Sequence, residues 1–215
     1  MKERQVDQMK IEKFVIGMVS TNCYLVSNEE TKECFIVDPG TFRAEIVSHI
    51  RKNGLMVKAI LLTHGHFDHI MGIDGFLKAF PVPVYAHEEE KLLLENSQYN
   101  ASSMYEDGGY RFTGATYVTD GQMLEIAGMK IRVIYTPGHT IGGCCYYLED
   151  EAVLFSGDTL FQESIGRADL PTGSAGQLVR SVKEKLLVLP EEVKVYPGHE
   201  DMTTIEMERK YNPFV

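Results

Sequence analysis

The chain is short of positive charge. Its 215 residues carry 21 Lys and Arg against 31 Asp and Glu, for a formal net charge of −10. A nucleic-acid footprint needs a basic face, so this balance argues against a nucleic-acid partner. Long apolar runs are missing too: no stretch approaches the roughly 18 apolar residues that a membrane helix needs. Residues 1–8 carry charge but no apolar core, which argues against a signal peptide. Cysteine is sparse. Cys23, Cys34, Cys144 and Cys145 form no CxxC pair, so a cysteine-based zinc site or a thioredoxin-like motif is not expected. All four fall in strand-like apolar runs and read as buried reduced thiols, which points to a cytoplasmic location. No linker or low-complexity segment divides the chain, so one domain over residues 1–215 is expected. With 44% hydrophobic and 24% charged residues, it can bury a core without disulfides and is too apolar for disorder.

What is present is an alternation of short strands and helices. Strands are predicted over 11–19, 22–27 and 34–37, with Asp38-Pro39-Gly40 as turn punctuation. Helical spacing follows over 43–52, then a buried strand over 58–63, a helix over 70–79, a strand over 82–86 and a helical piece over 87–94. Residues 96–120 are polar and rich in Gly and Tyr, which favours a functional loop or lid. Further strands are expected over 123–126, 129–136, 144–148 and 152–156, with Gly128 in a hairpin turn. An amphipathic helix over 177–187, a strand over 193–196 and a helix over 203–211 complete the chain; Thr203 or Thr204 is its N-cap. Two packed sheets with helices on both outer faces fit this order. A strand followed by Pro-Gly-His occurs twice, ending at His139 and at His199, in keeping with a two-halved fold.

The seven histidines are not scattered. The segment Thr63-His64-Gly65-His66-Phe67-Asp68-His69 follows the strand at 58–63 directly. Residues i and i+2 of an extended strand exit point the same way, so His64 and His66 can face one point. Asp68 and His69 open the next helix and can turn toward a second. His139, Asp158 and His199 also sit at strand ends, each after a glycine that lets the backbone turn sharply. Five histidines and two aspartates suit zinc, iron or manganese. Seven ligands exceed the four of one tetrahedral ion. They match two ions sharing one carboxylate: His64, His66 and His139 on one, Asp68, His69 and His199 on the other, Asp158 between them. Two divalent ions about 3.5 Å apart generate hydroxide near neutral pH and polarise a substrate oxygen. His49 reads as a surface residue of its helix. His87 reads as structural or helix-capping rather than part of the site rim.

This ligand block, with His139, Asp158 and His199, resembles the metallo-β-lactamase fold superfamily. The resemblance runs from Asn22-Cys23-Tyr24 and Asp38-Pro39-Gly40 to Asn212-Pro213-Phe214. It implies an α/β, four-layer αββα sandwich with the two-metal site at the sheet edges. Within the superfamily the chain looks most like the short, single-domain bacterial branch of the glyoxalase II group, the hydroxyacylglutathione hydrolases. Thr136-Pro137-Gly138-His139-Thr140, the segment from Phe155 to Phe161, Gly166-Arg167-Ala168-Asp169-Leu170 and the tail after Pro197 carry that likeness. It implies a small-molecule thioester substrate such as S-lactoylglutathione, and zinc as the first choice of metal. Asp68 and Asp158 are the expected catalytic carboxylates: Asp68 orients the hydroxide and Asp158 fixes the metal spacing. Full glyoxalase II enzymes grip glutathione with a C-terminal helical domain, whereas this sequence runs only to Val215. Tyr99, Tyr105, Tyr110 and Tyr117 of the 96–120 stretch are the alternative source of substrate contacts. Arg167 either pairs with a carboxylate as a clamp or faces the substrate. The runner-up activity is persulfide dioxygenation, with one iron on His64, His139 and Asp158. True β-lactamase activity is less expected, since one major class of those enzymes places a cysteine where Asp158 stands. Lactone hydrolysis stays open on the same metal core, and a non-catalytic scaffold is disfavoured by the intact ligand set.

Overall fold

A computed structural model describes residues 9–215; residues 1–8, read above as lacking a signal-peptide core, lie outside the described residues. An antiparallel hairpin of β1 (Met9–Ile16) and β2 (Thr21–Asn28) is extended by β3 (Glu33–Val37). Helix α1 (Ala44–Lys52) crosses to β4 (Met56–Leu61), and α2 (Phe67–Ile70) with α3 (Ile73–Ala79) crosses to β5 (Val84–His87). The short α4 (Lys91–Leu94) and an irregular stretch lead to β6 (Ala115–Val118). The first sheet therefore runs β1-β2-β3-β4-β5-β6, parallel from β3 onward, as helical crossovers require. The second sheet uses β7 (Met123–Ile126), β8 (Met129–Tyr135), β9 (Cys144–Leu148) and β10 (Val153–Gly157). A small hairpin, β11 (Leu160–Phe161) and β12 (Ser164–Ile165), and helix α5 (Ala175–Ser181) precede β13 (Lys194–Pro197), β14 (Thr203–Thr204) and α6 (Ile205–Tyr211). Its order is β14-β13-β10-β9-β8-β7.

Strand periodicity explains the layers. Side chains alternate between the two faces of a strand, and both faces here are apolar. Tyr24, Val26, Phe35 and Val37 meet Ile131, Val133, Tyr146 and Phe155 in a core between the sheets. The alternate residues Cys23, Leu25, Cys34 and Ile36 pack outward on Ile46, Ile50, Ile73 and Phe76 of α1 and α3. On the far side, Cys145, Tyr147 and Leu154 meet Val182, Leu186 and Ile205. Three cores separate four layers, the expected αββα sandwich. The neighbours Cys144 and Cys145 thus belong to different cores. Continuous burial on both faces is why these strands read as unbroken apolar runs.

One edge of the sandwich collects the chemistry. β3, β4 and β5 are parallel, so their C-terminal ends meet there, followed by Asp38, residues 64–69 and Glu90. β9 is antiparallel to β8 and β10, and β13 is parallel to β10, so β8, β10 and β13 also point to one edge. His139, Asp158 and His199 follow those ends. The Cys144 N–H donates to the Thr63 carbonyl at 2.9 Å and the Asn22 N–H to the Gly198 carbonyl at 2.7 Å, joining the sheets at this edge.

Several expected elements differ in extent. The first strand stops at Ile16, ahead of the left-handed Gly17 at φ +73°. The helix expected over 70–79 is two pieces, with Gly72 between them lying against the Pro39 carbonyl, to which its N–H donates at 2.9 Å. The helix expected over 177–187 begins at Ala175 and widens to a π-turn over Val182–Leu186, its stripe of Leu178, Val182 and Leu186 fully buried. The 96–120 stretch is not a single open loop. It holds a helical turn at Ser102–Met104, and its end is strand β6, paired with β5. Thr204 is the N-cap of α6, its hydroxyl accepting the Met207 N–H, while Thr203 lies in β14.

Candidate metal centre

The structure brings all seven sequence-predicted residues to this edge in two groups. His64, His66 and His139 form one trio, and Asp68, His69 and His199 the other, each with ligand atoms within 4.8 Å of one another. Asp158 reaches both. One of its oxygens is 3.5 Å from His139 Nε2 and 3.4 Å from His199 Nε2, and the other is 3.5 Å from His69 Nε2. Asp68 Oδ2 lies 3.3 Å from both His69 Nε2 and His199 Nε2. His66 Nδ1 and His139 Nε2 stand 2.8 Å apart. Two imidazole nitrogens at that distance share a proton, one ring donating and the other accepting.

The glycines ahead of the late ligands act in two ways. Gly157 turns the chain at φ +50°, where a Cβ would also strike the Thr63 hydroxyl at 2.2 Å. Gly198 needs no unusual φ; it is small because a Cβ there would lie 2.2 Å from Asp158 Oδ1 and 2.8 Å from His69 Cε1. Room for the site, rather than a sharp turn, is the reason at that position.

The outer nitrogens of three of the imidazoles are taken. His69 Nδ1 is 3.0 Å from Asp38 Oδ2, His139 Nδ1 2.7 Å from the Arg167 carbonyl, and His64 Nδ1 3.1 Å from the Thr63 hydroxyl. Such partners orient a ligand ring and fix its tautomer. Facing the centre, His64 Nε2, His69 Nε2 and Asp158 Oδ1 are buried without a hydrogen-bond partner among the described residues. A buried polar atom left unpaired costs about 1–3 kcal/mol. Several converging on one point fit divalent cations, which take nitrogen and carboxylate donors of this kind.

Electrostatics separates the trios. Burial lowers His64, His66 and His139, helped for His64 and His66 by neighbouring histidine charge, and His66 falls to about 3. Burial works the same way on His69 and His199, but carboxylates outweigh it there. Asp68, Asp158 and Asp38 hold His69 well above the usual range, and hydrogen bonds to Asp158 and Asp68 lift His199 to about 10. Burial pushes Asp68 and Asp158 up, and the His69 charge more than reverses it: Asp68 lies well below the carboxylate range and Asp158 at about 2.

The sequence matches the family described as the Metallo-beta-lactamase superfamily over residues 16–199, a span that holds all seven of these residues. The chain belongs to the metallo-β-lactamase superfamily. This superfamily member is 37% identical over 208 residues to the probable metallo-hydrolase YqgX of Bacillus subtilis, covering 96% of this chain and 98% of that protein. It is 32% identical over 209 residues to the hydroxyacylglutathione hydrolase GloC of Haemophilus influenzae, with 96% and 98% covered. Among solved structures it is similar to BLEG-1 B3 metallo-β-lactamase, at 40% identity and TM-score 0.89, over 95% of this chain and 99% of that one. TTHA1623, seen in a di-iron-bound form, is 34% identical with TM-score 0.84, over 95% and 100%. ETHE1 from Myxococcus xanthus is 25% identical with TM-score 0.77, over 95% and 83%. The chain is accordingly a metal-dependent hydrolase of the metallo-β-lactamase superfamily, with a His/Asp cluster suited to divalent metal ions.

The residues singled out elsewhere in this superfamily member sort clearly. His49 is half-buried, with its Nε2 3.2 Å from the Glu12 carboxylate, away from the site. The His87 ring accepts the Glu89 N–H at 3.3 Å as a helix cap and stacks on Tyr135 at 4.2 Å. The Arg167 side chain is exposed and gripped by Asp169 through two 2.7 Å bonds, while its carbonyl serves His139. Tyr110 and Tyr117 pack on the outer core, and Tyr105 stacks on Phe67, between His66 and Asp68 in sequence, at 4.2 Å. The four cysteines are free and buried. Sequence reasoning missed Asp38, which was read as turn punctuation. Its carboxylate accepts the Thr63 N–H at 2.8 Å and hydroxyl at 2.6 Å besides meeting His69. Thr21, whose hydroxyl donates to Asp68 Oδ2 at 2.7 Å, was missed as well. An Asp just past a buried strand and ahead of Pro-Gly was the available signal for the first; none existed for the second.

Proposed function

We propose that the chain hydrolyses a small-molecule thioester of the S-lactoylglutathione type, on two divalent cations with zinc as the first choice and iron or manganese as the others. The observation that carries this is Asp158, whose two oxygens reach imidazole nitrogens of both trios at 3.4–3.5 Å. His64, His66 and His139 would hold one cation, Asp68, His69 and His199 the other, with Asp158 shared. Such a pair supplies a hydroxide near neutral pH and polarises the thioester carbonyl. The chain's own groups do the positioning. Thr21 holds the Asp68 carboxylate, Asp158 fixes the spacing of the trios, and Asp38 sets the His69 ring. The oxygen of water adds to the acyl carbon, the carbon–sulfur bond breaks, and an acid and a thiol are released. No thiol of the chain competes as nucleophile, because burial pushes Cys34 up to about 12 and Cys145 to about 11. Likeness to GloC supports the substrate class, and the excess of acidic residues supports the absence of a nucleic-acid partner. The buried unpaired thiols support a reducing, cytoplasmic compartment.

Two other readings have a likeness behind them: a one-iron persulfide dioxygenase on His64, His139 and Asp158, beside the ETHE1 match, and β-lactam hydrolysis, beside the BLEG-1 match. The deciding assay gives metal-replete protein S-lactoylglutathione, glutathione persulfide with oxygen monitored, and a chromogenic β-lactam. D-lactate release with no oxygen uptake is expected. Turnover of the persulfide or the β-lactam alone would replace the thioester reading.

A further inference from the structure

Glu88 and Glu89 are exposed, but Glu90 beside them is fully buried. It sits three residues beyond β5, and its carboxylate spans two loops. Oε1 accepts the Gly65 N–H at 2.7 Å, and Oε2 accepts the Thr140 hydroxyl at 3.1 Å. The Gly142 N–H donates to it as well. Gly65 lies between His64 and His66, and Thr140 follows His139, so a single carboxylate ties together both loops that carry the histidine trio. Glycines make room for it. A Cβ at Gly142 would stand 2.2 Å from Glu90 N and 2.3 Å from Oε2, and one at Gly65 would stand 2.9 Å from Leu93 Cβ and 3.3 Å from Oε1. The donors are neutral. A carboxylate buried among neutral donors is costly, and an aliphatic residue would fill the space at less cost. Packing alone does not account for it.

We infer that Glu90 is the positioning residue of the histidine trio: it sets the distance of His64 and His66 from His139, and thereby that trio's cation affinity, while Asp38 and Thr21 do the same for the Asp68, His69 and His199 trio. This rests on the two-cation reading of the site. The two can fail separately: the wild-type stoichiometry tests that reading, and the variants relative to wild type test Glu90.

The experiment titrates the folded full-length chain with Co2+ or Zn2+ against a chromophoric chelator. Glu90→Gln keeps the shape but turns an amide NH2 toward N–H or O–H donors. It should weaken binding of one cation about 10–100-fold, the range for supporting groups of ligands, and leave the other within about twofold. A double-mutant cycle assigns the site. In a His66→Ala background Glu90→Gln should add nothing, whereas in a His199→Ala background it should show its full effect. The cobalt spectrum of the affected site should shift while the melting temperature stays near wild type. Equal weakening of both cations, or no weakening of either, would overturn the inference. Should Glu90→Gln fail to fold, Thr140→Val removes one donor only; a loss confined to the histidine trio supports the assignment, and an unchanged titration rejects it.

Discussion

His64, His66 and His139 lie among other imidazoles, 2–4% exposed, with burial pressing each toward its neutral form. His69 and His199 sit a few ångströms away beside Asp68 and Asp158, and the same burial is overcome there. Identical side chains are thus tuned in opposite senses by what surrounds them. The histidine trio is an all-nitrogen set braced through backbone and Glu90. The carboxylate trio is braced by Asp38 and Thr21, and its His199 side chain is 21% exposed. The lesson is a division of labour: a buried all-imidazole half, and a half that carries the acid groups and opens at His199. Asp158 belongs to both.

The sharpest way to break the distinction is to remove what the trios share. Asp158→Ala should lower thioester hydrolysis by more than about a hundredfold, beyond the effect of a merely supporting group, and should deplete metal from both trios. Elemental analysis beside the assay checks it; full metal content would place Asp158 outside the shared position. Next in size is Asp38→Asn, which weakens the partner of His69 Nδ1. About a 10–100-fold loss of affinity is expected in the carboxylate trio, with a smaller loss in the histidine trio, whose His64 Asp38 reaches through the Thr63 hydroxyl, read by chelator competition. Equal loss in both trios would mean that the two halves are not separately braced. Gly198→Ala forces a Cβ onto Asp158 Oδ1 and His69 Cε1, and should cost about 1–3 kcal/mol by denaturant titration together with lost metal. Its control is Gly176→Ala in α5, where a Cβ meets open space; that change should stabilise by up to about 1 kcal/mol and leave metal content unchanged.

The smallest effect tests whether the centre can be emptied without loosening its frame. The four thiols lie in β2, β3 and β9 of the two sheets, and burial raises Cys34 to about 12 and Cys145 to about 11. The thiolate is the reactive form, so raised values leave little of it at pH 8. A thiol reagent should find almost no reactive cysteine in native protein, with or without a chelator, and four after denaturation. Rapid labelling on chelation alone would show that metal holds the fold, not only the site.

Much of this was legible because ligand chemistry is compressed. His64, His66, Asp68 and His69 fall within six residues, and His139, Asp158 and His199 each announce themselves with a glycine after a strand. The layers were legible through strands apolar on both faces. What stayed hidden depends on contacts between distant segments. Glu90 reads as one more acid in a run of three, and its burial follows from β5 ending beside β4. Asp38 looks like any turn residue until β3 and β4 are paired and Thr63 meets it. β6 is four residues long, too short for alternation to show against its polar surroundings, and it exists because β5 offers it an edge. The helix expected over 70–79 breaks at Gly72 because the chain must clear the Pro39 carbonyl, a constraint no local pattern records.

Counting metal tests the central claim most directly. Protein purified without added metal, then reconstituted with zinc, iron or manganese and freed of excess, is analysed for metal equivalents per chain alongside S-lactoylglutathione turnover. Two equivalents, with activity rising as the second is filled, are the predicted result. One tightly held equivalent supporting full activity, unaffected by loss of Asp68 or His199, would contradict a shared two-cation centre.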